Sequence, residues 1–451
     1  MSLISKYLLH GNLIKVVTWF FGVLAIGAIV FPQDAQALPS FARQTGQNCV
    51  ACHAGGQFPE LTPYGRMFKM TGYTIGERTL PLSVMGVVNS ASISNPPDGT
   101  AKNGEVVFAT GSLFLAGKIT DNIGAFAQVT YDNFAVDNGD GSFSGHSNAD
   151  NIDVRFANRI ITGKQDWIYG LSLNNNPSVS DPWNSAAAWM SYVPAASLSS
   201  HSFTDPTTPY PGFGAGGNIA GLSAYLFWNQ TVYAELGSYR TADQAFSFMS
   251  AGIDDASKTK LNGNNNPYWR LALSHEWGPH NLMVGTSGMI AHVFDAGTDV
   301  SDPANLGQYR NTGVDAQYQY ILDPHTITAQ LAYMRQETAY SENAISAAAG
   351  DAGLTDTTYM SRAKVSYVYH AKYGGSLAYF NSTGSTSVIQ TTDPSTNGMT
   401  FEAFWIPKQN IRVGAQYTAY NKYQGATDNY DGAGRNASDN NTLFLYAWFA
   451  Y

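Results

Sequence analysis

The stretch 314–320 reads Val-Asp-Ala-Gln-Tyr-Gln-Tyr, so apolar and polar side chains alternate with a period of two. Successive side chains of a β-strand point to opposite faces, and this stretch therefore predicts a strand with one apolar and one polar face. The alternation recurs at 363–370, 411–419 and 443–451, where the chain ends on an aromatic residue. One such strand also fits a soluble sandwich. The number of strands and their tyrosine-rich apolar faces favour a membrane barrel with a lipid-facing exterior and a polar lumen.

Short turns join these strands in pairs, and longer polar loops separate the pairs. Tight hairpins are predicted at 120–122, 163–166, 229–230, 277–280, 323–325, 372–374 and 407–410. Longer loops are predicted at 133–151, 242–265, 294–307, 341–356 and 424–440. Seven hairpins give 14 strands, and a first strand from about Leu82 together with the last strand makes 16, with 14 or 18 as alternatives. Alternating short and long connections are typical of outer-membrane proteins. Residues 81–451 are therefore predicted to form an all-β, antiparallel outer-membrane β-barrel of about 16 strands.

The composition agrees with this fold class. Only 13% of the 451 residues are charged, against about 25% in ordinary soluble domains. Glycine (44) and tyrosine (27) are abundant, and the net charge is −9. An acidic chain of low charge density argues against nucleic acid as a partner. No apolar run after residue 37 reaches the roughly 18 residues of a membrane-spanning helix.

The first 37 residues are predicted to be a secretory signal peptide. Lys6 and Lys15 precede an apolar stretch at 16–30, and Ala35-Gln-Ala37 is an A-x-A cleavage site. A retained N-terminal anchor is the alternative. Export places the rest of the chain outside the cytoplasm, and the predicted location is the outer membrane of a Gram-negative bacterium.

Five residues, Cys49-Val-Ala-Cys-His53, form the attachment signature of a c-type haem. Two thiols at this spacing can bond one porphyrin, and the adjacent imidazole can be the proximal iron ligand. The chain has no other cysteine. A redox-active pair of cysteines would need a βαβ context, and a zinc site would need a second pair of ligands. The sequence shows neither. We therefore predict one covalent haem c, held by Cys49 and Cys52 with His53 as proximal ligand.

Residues 38–80 are predicted to be the monohaem cytochrome c module. A unit of roughly 40 residues rarely folds without a disulfide, a metal or another covalent cross-link. A covalently bound haem is such a cross-link, but the apolar faces of the porphyrin must still be shielded from water. We therefore expect the module to lie in the barrel lumen or at its periplasmic side, as a plug rather than a freely moving head.

The sequence around the haem motif resembles the fused monohaem cytochrome–porins of iron-oxidising bacteria. The resembling residues are 39–46 (Pro-Ser-Phe-Ala-Arg-Gln-Thr-Gly), 49–53, 59–66 (Pro-Glu-Leu-Thr-Pro-Tyr-Gly-Arg), 68–69 and 72–74. The barrel matches only in length and pattern. The resemblance implies an outer-membrane electron-transfer protein, in some members an Fe(II) oxidase. Its partners would be extracellular Fe(II) or another electron donor, a periplasmic c-type cytochrome or another acceptor, and outer-membrane lipid.

The sixth ligand of the haem iron stays open. The nearby thioethers are Met67, Met70 and Met85, and a lumenal histidine is a further alternative. The three-residue spacing of Met67 and Met70 favours packing, because methionine is a common gap-filler. In the family that the chain resembles, these two positions are often not methionine, which favours Met85 as the distal ligand.

Other polar residues carry weaker signals. His275, His280 and His292 lack metal-ligand spacing and are interpreted as ordinary polar positions. Acidic loops could attract Fe²⁺, since carboxylate oxygens suit such an ion, but solvated acidic loops are common on barrels. Their aspartates are Asp137, Asp140, Asp150, Asp153, Asp295, Asp299 and Asp302. The stretch 174–217 breaks the strand rhythm, and we predict an in-folded constriction or a lid over the haem.

Two hypotheses of function follow. In the first, the protein carries electrons from an extracellular donor such as Fe(II) through one haem to a periplasmic cytochrome, which would make it a possible Fe(II) oxidase. In the second, it is a solute porin whose haem module is a redox-sensitive gate or a structural plug. A third hypothesis is a soluble periplasmic cytochrome that contains a β-sandwich. Hydrolysis and phosphoryl transfer find no supporting motif.

Overall fold

The structure is a computed structural model that describes residues 39–56, 60–97, 103–138, 142–185, 218–250 and 260–451. The predicted signal peptide, Leu38 and part of the long loop, residues 186–217, lie outside this range.

Seventeen strands form one antiparallel sheet. The strands are β1 (Leu82–Ile93), β2 (Val107–Lys118), β3 (Ile123–Asp137), β4 (Phe143–Thr162), β5 (Gln165–Asn174), β6 (Ile219–Trp228), β7 (Val232–Thr241), β8 (Lys260–Leu261), β9 (Pro267–Trp277), β10 (His280–Phe294), β11 (Leu306–Leu322), β12 (His325–Ala339), β13 (Thr355–Tyr369), β14 (Tyr373–Gly384), β15 (Thr396–Lys408), β16 (Ile411–Lys422) and β17 (Thr442–Ala450).

The sheet closes on itself. Successive strands pair along the chain, and β17 pairs with β1 over the register Met85↔Ala450 to Ile93↔Thr442. The two-residue strand β8 and the longer β9 both pair with β10 and together take one place in the cylinder. Sixteen strands therefore surround the lumen, and the predicted count is confirmed.

The two faces of the barrel follow the predicted alternation. On β11, Val314 is 53% exposed on the outside, whereas its neighbour Asp315 and, further along, Gln317 and Gln319 are buried in the lumen. Leu331 and Val365 are likewise exposed on β12 and β13. A closed sheet leaves no unpaired edge, and its apolar outer face suits hydrocarbon. The chain is an outer-membrane barrel, as predicted.

The connections also divide into two classes. The seven short turns lie at the rim where the barrel begins and ends, since the amide of Val84 donates to the carbonyl of Tyr451. Short turns are periplasmic in such barrels, so we call this the periplasmic rim and the opposite one the extracellular rim.

Two predicted connections need correction, and two long connections were not predicted. The turn predicted at 372–374 lies at 370–372, between β13 and β14. The loop predicted at 133–151 is shorter, because β3 continues to Asp137 and β4 starts at Phe143. Asp150 and Asp153 therefore lie on β4 and not in a loop. The connections β1–β2 and β14–β15 were not predicted as long loops.

The helices are short and lie mainly at the N-terminus. They are α1 (Pro39–Thr45), α2 (Cys49–Cys52), α3 (Pro63–Met70), α4 (Pro177–Ser180) and α5 (Glu342–Ala347). In the part of the chain that the structure describes, no helix is both long enough and apolar enough to cross a membrane. Helices α1 to α3 belong to a segment that lies inside the lumen. We call its described residues, 39–56 and 60–80, the plug.

Candidate functional site

The haem signature forms one helical turn of the plug. Cys49 and Cys52 are the first and last residues of α2, and the amide of His53 donates to the carbonyl of Cys49 at 2.8 Å. Residues three apart on a helix lie on the same side. Cys49 is buried, while Cys52 and His53 are half-buried. The turn therefore presents two sulfurs to one side and an imidazole directly after them.

Helix α3 supports this turn from behind. The amide of Thr62 donates to the carbonyl of Cys52 at 2.9 Å, and the Thr62 hydroxyl donates to the carbonyl of Ala51. The same hydroxyl accepts the amide of Gly65 as the N-cap of α3. A Cβ atom on Gly65 would overlap the carbonyl oxygen of Cys52. Only glycine permits this approach of α3 to the haem signature.

The turn rests on the barrel wall near the periplasmic rim. The sulfur of Cys49 is 3.8 Å from the carbonyl oxygen of Gln409, in the β15–β16 turn. A Cβ atom on Gly55 would lie 2.7 Å from that of Val368, on the lumenal side of β13. The ammonium of Lys364, also on β13, is 2.7 Å from the carboxylate of Glu60.

Arg66 is the main polar link between α3 and the wall. Its buried guanidinium donates to Asn281 at 2.6 Å and to Gln319 at 2.9 Å. It also donates to the carbonyl of Leu61 and to Gln317, and its nearest carboxylate is Glu276 at 3.9 Å. Burial lowers the pKa of Arg66 to about 10, so the group stays charged at neutral pH. A buried charge with this many acceptors fixes the position of α3.

Lys69 connects α3 to the long loop after β5. Its buried ammonium donates to the carbonyl of Asp181 at 2.8 Å and to the side chain of Asn184 at 3.5 Å. Burial and, next, the charge of Arg155 lower the pKa of Lys69 to about 8. The carboxylates of Asp153, Asp181 and Glu235 act in the opposite direction.

The plug ends with an aromatic anchor. The Tyr73 hydroxyl donates to the carboxylate of Asp153 at 2.6 Å, and its ring stacks on Phe41 at a centroid distance of 5.4 Å. Phe41 also contacts the ring of Phe68 edge-on. Near α1, the Gln44 side chain donates to the carbonyl of Tyr73 and accepts the amide of Lys118 on β2.

The described part of the long loop, residues 174–185, folds into the lumen. Asp181 lies 3.1 Å from the guanidinium of Arg270 on β9, which also contacts Asp315 on β11 at 2.8 Å. Trp183 is fully buried, and its carbonyl accepts from Gln317. The predicted in-folded constriction is thus present in these residues. The remainder of the predicted loop, 186–217, lies outside the described residues.

The three methionines lie in two places, Met67 and Met70 on α3 and Met85 on β1 of the barrel wall. Met70 packs into an apolar cluster with Trp183, Tyr225 and other residues of β5 to β10, and Met67 packs against it. Both also line a cavity of about 220 Å³ together with Arg66 and residues of β6, the β6–β7 turn and β9. Met85 is half-buried on β1, and its cross-strand partner Ala450 exchanges hydrogen bonds with Asn410, next to the turn that Cys49 contacts. Met85 is therefore on the wall beside the haem signature.

The histidines of the β9–β10 hairpin lie in two places. His275 and His280 stack on Trp277 at the periplasmic rim, and His280 bonds the Tyr318 hydroxyl at 2.7 Å. Such rings belong to the aromatic girdle at the lipid–water boundary. His292 lies near the extracellular rim and contacts Asn265 and Gln308.

The described acidic loop residues accept hydrogen bonds from nearby loop residues. Asp299 accepts from Ser301, which lowers its pKa, and Asp302 caps the turn 303–305. Asp295 accepts from the Ser341 hydroxyl. Asp140 and the side chain of Asp137 lie outside the description. Among the described residues, no group of three or more histidines, cysteines and carboxylates is arranged to hold a metal ion.

No family model and no curated protein matches this chain. Solved structures of similar shape include the channel DcaP of Acinetobacter baumannii, with 12% identity, 82% of this chain and 96% of that chain covered, and a TM-score of 0.46. OmpF of Salmonella typhi matches with 11% identity, 82% and 97% coverage, and a TM-score of 0.44. A porin mutant of Rh. blastica matches with 12% identity, 82% and 99% coverage, and a TM-score of 0.39. The assignment of the barrel rests on its own closed strand pairing.

The residues of α2 suit a covalently bound haem c. Two thiols on one side of a helical turn and an imidazole directly after them are the donor set that this group needs. Burial, with the neighbouring Cys49 next, raises the pKa of Cys52 to about 11. A thiol of this kind is protonated at neutral pH, which argues against a redox-active thiolate pair.

Sequence reasoning did not assign individual roles to Glu60, Gly65, Arg66, Lys69 and Tyr73. A usable signal was present, because charged residues within a segment predicted to be enclosed need polar partners. The identity of those partners required the barrel register.

Proposed function

We propose that this protein is an outer-membrane electron-transfer cytochrome–porin. It would take electrons from an extracellular donor, Fe(II) in the first instance, and deliver them to a periplasmic c-type cytochrome. The observation that carries the proposal is the position of the haem signature, on a plug bound inside a closed barrel and beside the periplasmic rim. Haem c would supply the one-electron redox couple.

The chain's own residues would have separate tasks. Cys49 and Cys52 would hold the porphyrin, and His53 would be the proximal iron ligand. Met85 is the leading candidate for the distal ligand, since its cross-strand partner Ala450 bonds Asn410, the neighbour of the Gln409 that Cys49 contacts. Gly65 and Thr62 would keep the turn in place, and Arg66 and Lys69 would keep the plug bound to the wall and the in-folded loop.

A plug enclosed by a barrel suits an electron conduit because it can separate the donor from the acceptor. Arg66 and Lys69 bind two different parts of the enclosure, Arg66 the strands β10 and β11 and Lys69 the loop 181–184. Solute passage would require these buried charges to give up their acceptors, which is unfavourable without replacement partners.

The second candidate is a solute porin with a haem plug. It is favoured by the polar lining of the lumen, where charged groups such as Arg412 and Glu402, 2.6 Å apart, face inward. Polar linings are typical of water-filled channels. The two proposals differ in whether the intact protein conducts ions and whether it accepts electrons from outside.

The test uses the haem-loaded, oxidised protein in sealed liposomes of known orientation. Fe²⁺ is added on the extracellular-rim side, and the reduced-haem α band is followed. Rapid reduction is expected, with low ion conductance of the same vesicles. The Cys49→Ala/Cys52→Ala variant controls for reduction that does not depend on bound haem. Reduction by dithionite but not by Fe²⁺ would reject Fe²⁺ as donor, and high conductance of the intact protein would favour the solute porin.

A further inference from the structure

The lipid-facing surface carries an unusual charged group near the extracellular rim. Arg310 on β11 and Arg335 on β12 both approach the carboxylate of Glu337, at 3.5 and 2.6 Å. Arg310 shares its face of β11 with the exposed Val314, and Arg335 shares its face of β12 with Leu331 and Tyr333. Arg310 and Arg335 are 54% and 47% exposed. The group therefore points away from the lumen.

The height of this group fits the boundary between hydrocarbon and headgroups. Tyr320 on β11 belongs to the periplasmic girdle, where its ring lies 5.2 Å from that of His280. Arg310 precedes Tyr320 by ten residues on the same strand, which is about 34 Å at 3.4 Å per residue. A tilt of about 40° reduces this to about 26 Å, close to the roughly 25 Å height of the apolar band. The stacked rings of Tyr333 and Tyr359 lie just below the group, as expected of an upper girdle.

The charge of the group is positive. Two guanidinium groups converge on one carboxylate, which leaves a net charge of +1. Lys260 on β8, opposite the outward Phe294 of β10, is a further base at this level, whereas Arg240 on β7 is paired with Asp243 at 2.9 Å. The loops above are acidic, with Asp299, Asp302 and Asp351 as examples. A positively charged group between an acidic rim and an apolar belt suits an anion at the level of the headgroups.

We propose that Arg310 and Arg335 bind a phosphate group of an anionic lipid in the outer leaflet. Guanidinium groups match phosphate oxygens in a bidentate geometry, and each carries five N–H donors, of which Glu337 can accept only a part. The acyl chains of such a lipid would lie along Val314, Leu331 and Tyr333. This site is independent of the haem and of the direction of electron transfer.

The test measures lipid retention by the full-length, haem-loaded protein in detergent. The probes are a glycolipid with two phosphates on its acylated disaccharide, the same lipid after dephosphorylation, and inorganic phosphate. Each basic residue near a membrane surface contributes about 1 kcal/mol, or about fivefold in affinity, so Arg310→Gln/Arg335→Gln should weaken retention of the phosphorylated lipid about 25-fold. Arg159→Gln, an exposed arginine at the periplasmic rim, should leave retention unchanged.

A variant that should strengthen lipid retention separates loss of the binding site from misfolding of the protein. Glu337→Gln removes the competing carboxylate and should strengthen retention of the phosphorylated lipid several-fold. Loss of retention in Glu337→Gln, equal loss in Arg159→Gln, or full retention in the double variant would overturn the proposal. Equal retention of the dephosphorylated lipid would exclude the lipid phosphate as the group that is recognised. Displacement by inorganic phosphate at matched concentration would overturn the lipid as occupant and assign the site to free phosphate.

Discussion

At the scale of single residues, the haem signature depends on a glycine that is not part of it. Gly65 lies so close to the carbonyl oxygen of Cys52 that no side chain fits between them. We predict that Gly65→Ala displaces the α2 turn and lowers the fraction of protein that carries covalent haem at least severalfold. The ratio of haem absorbance to protein concentration measures this fraction.

Gly46→Ala is the matched control for this prediction. Gly46 has a positive φ of 67°, yet nothing lies within 4 Å of a Cβ atom there. The substitution therefore adds backbone strain in α1 without a clash at the signature turn. If both variants lose haem equally, general destabilisation of the plug, and not the contact with Cys52, is responsible.

Lys69 makes the binding of the plug depend on pH. Its pKa is about 8 when the plug is bound and near 10.4 when the side chain is in water. The bound state thus loses its proton first, and the plug binds more firmly as the pH rises from 8 towards 10.4. We predict that transient channel openings in planar bilayers become about tenfold rarer between pH 7 and 9.

Lys69→Gln removes the titrating group and should flatten this pH dependence between pH 7 and 9. Tyr73 does not interfere, because its burial beside Asp153 raises its pKa well above the usual range. An equally steep dependence in Lys69→Gln would assign the effect to another group.

Sequence reasoning at this scale predicted the chemistry of a haem site but not the residues that support it. Cys49, Cys52 and His53 lie within five positions of the chain, so their spacing alone predicts their role. Arg66 contacts Gln317, which is 251 positions away, and no local pattern encodes such a pairing. The placement of Met85 near the turn that Cys49 contacts likewise follows from the closure of β1 on β17.

At the scale of elements, alternation predicted the strands where one side faces lipid and the other the lumen. It failed at 143–151, because both faces of a strand that extends beyond the membrane are in contact with water and need no apolar side. Polar residues such as His146 and Asn148 then resemble a loop, although they pair with β3. The turn predicted at 372–374 lies two residues earlier, because His370 and Ala371 adopt the positive φ of the turn and Tyr373 already pairs with Tyr369.

The in-folded loop after β5 depends on one buried arginine. Arg270 bridges Asp181 of the loop and Asp315 of the wall, and its guanidinium lies 5.8 Å from the ring of Trp183. We predict that Arg270→Gln destabilises the folded protein by about 3 kcal/mol or more, because both carboxylates lose their charged partner in a buried site. Urea unfolding in lipid vesicles, followed by tryptophan fluorescence, measures the loss.

Arg310→Gln provides the comparison for Arg270→Gln, since its ion pair with Glu337 is exposed and should contribute less than about 1 kcal/mol. Equal losses in the two variants would show that burial of the Arg270 network does not strengthen it. An unchanged midpoint in Arg270→Gln would show that the loop is held by its other contacts.

At the scale of the whole molecule, the plug and the in-folded loop enter the lumen from opposite rims and meet at Lys69. The plug is held to β10 and β11 through Arg66, to β13 through Glu60, and to β4 through Tyr73. The loop is held to β9 and β11 through Asp181 and Ser185. This arrangement predicts that the intact protein passes few ions, although its barrel has the strand number of a general porin.

We predict that Arg66→Ala/Lys69→Ala raises the conductance of single channels in planar bilayers, because both charged links of α3 are lost while the barrel pairing is untouched. Lys118→Ala is the matched control, since it removes a salt bridge with Asp121 at the periplasmic rim and keeps the backbone amide through which Lys118 contacts the plug. The wild type and the control should be closed except for rare openings. If the wild type instead conducts as steadily as the double variant, the plug does not seal the lumen. Solute passage would then be the better explanation of the barrel's function. The haem module at the periplasmic rim would serve as a redox-sensitive gate or as a structural element. A closed wild type and an open double variant would show that the buried charges of α3 keep the channel shut, which is what a conduit for electrons alone requires.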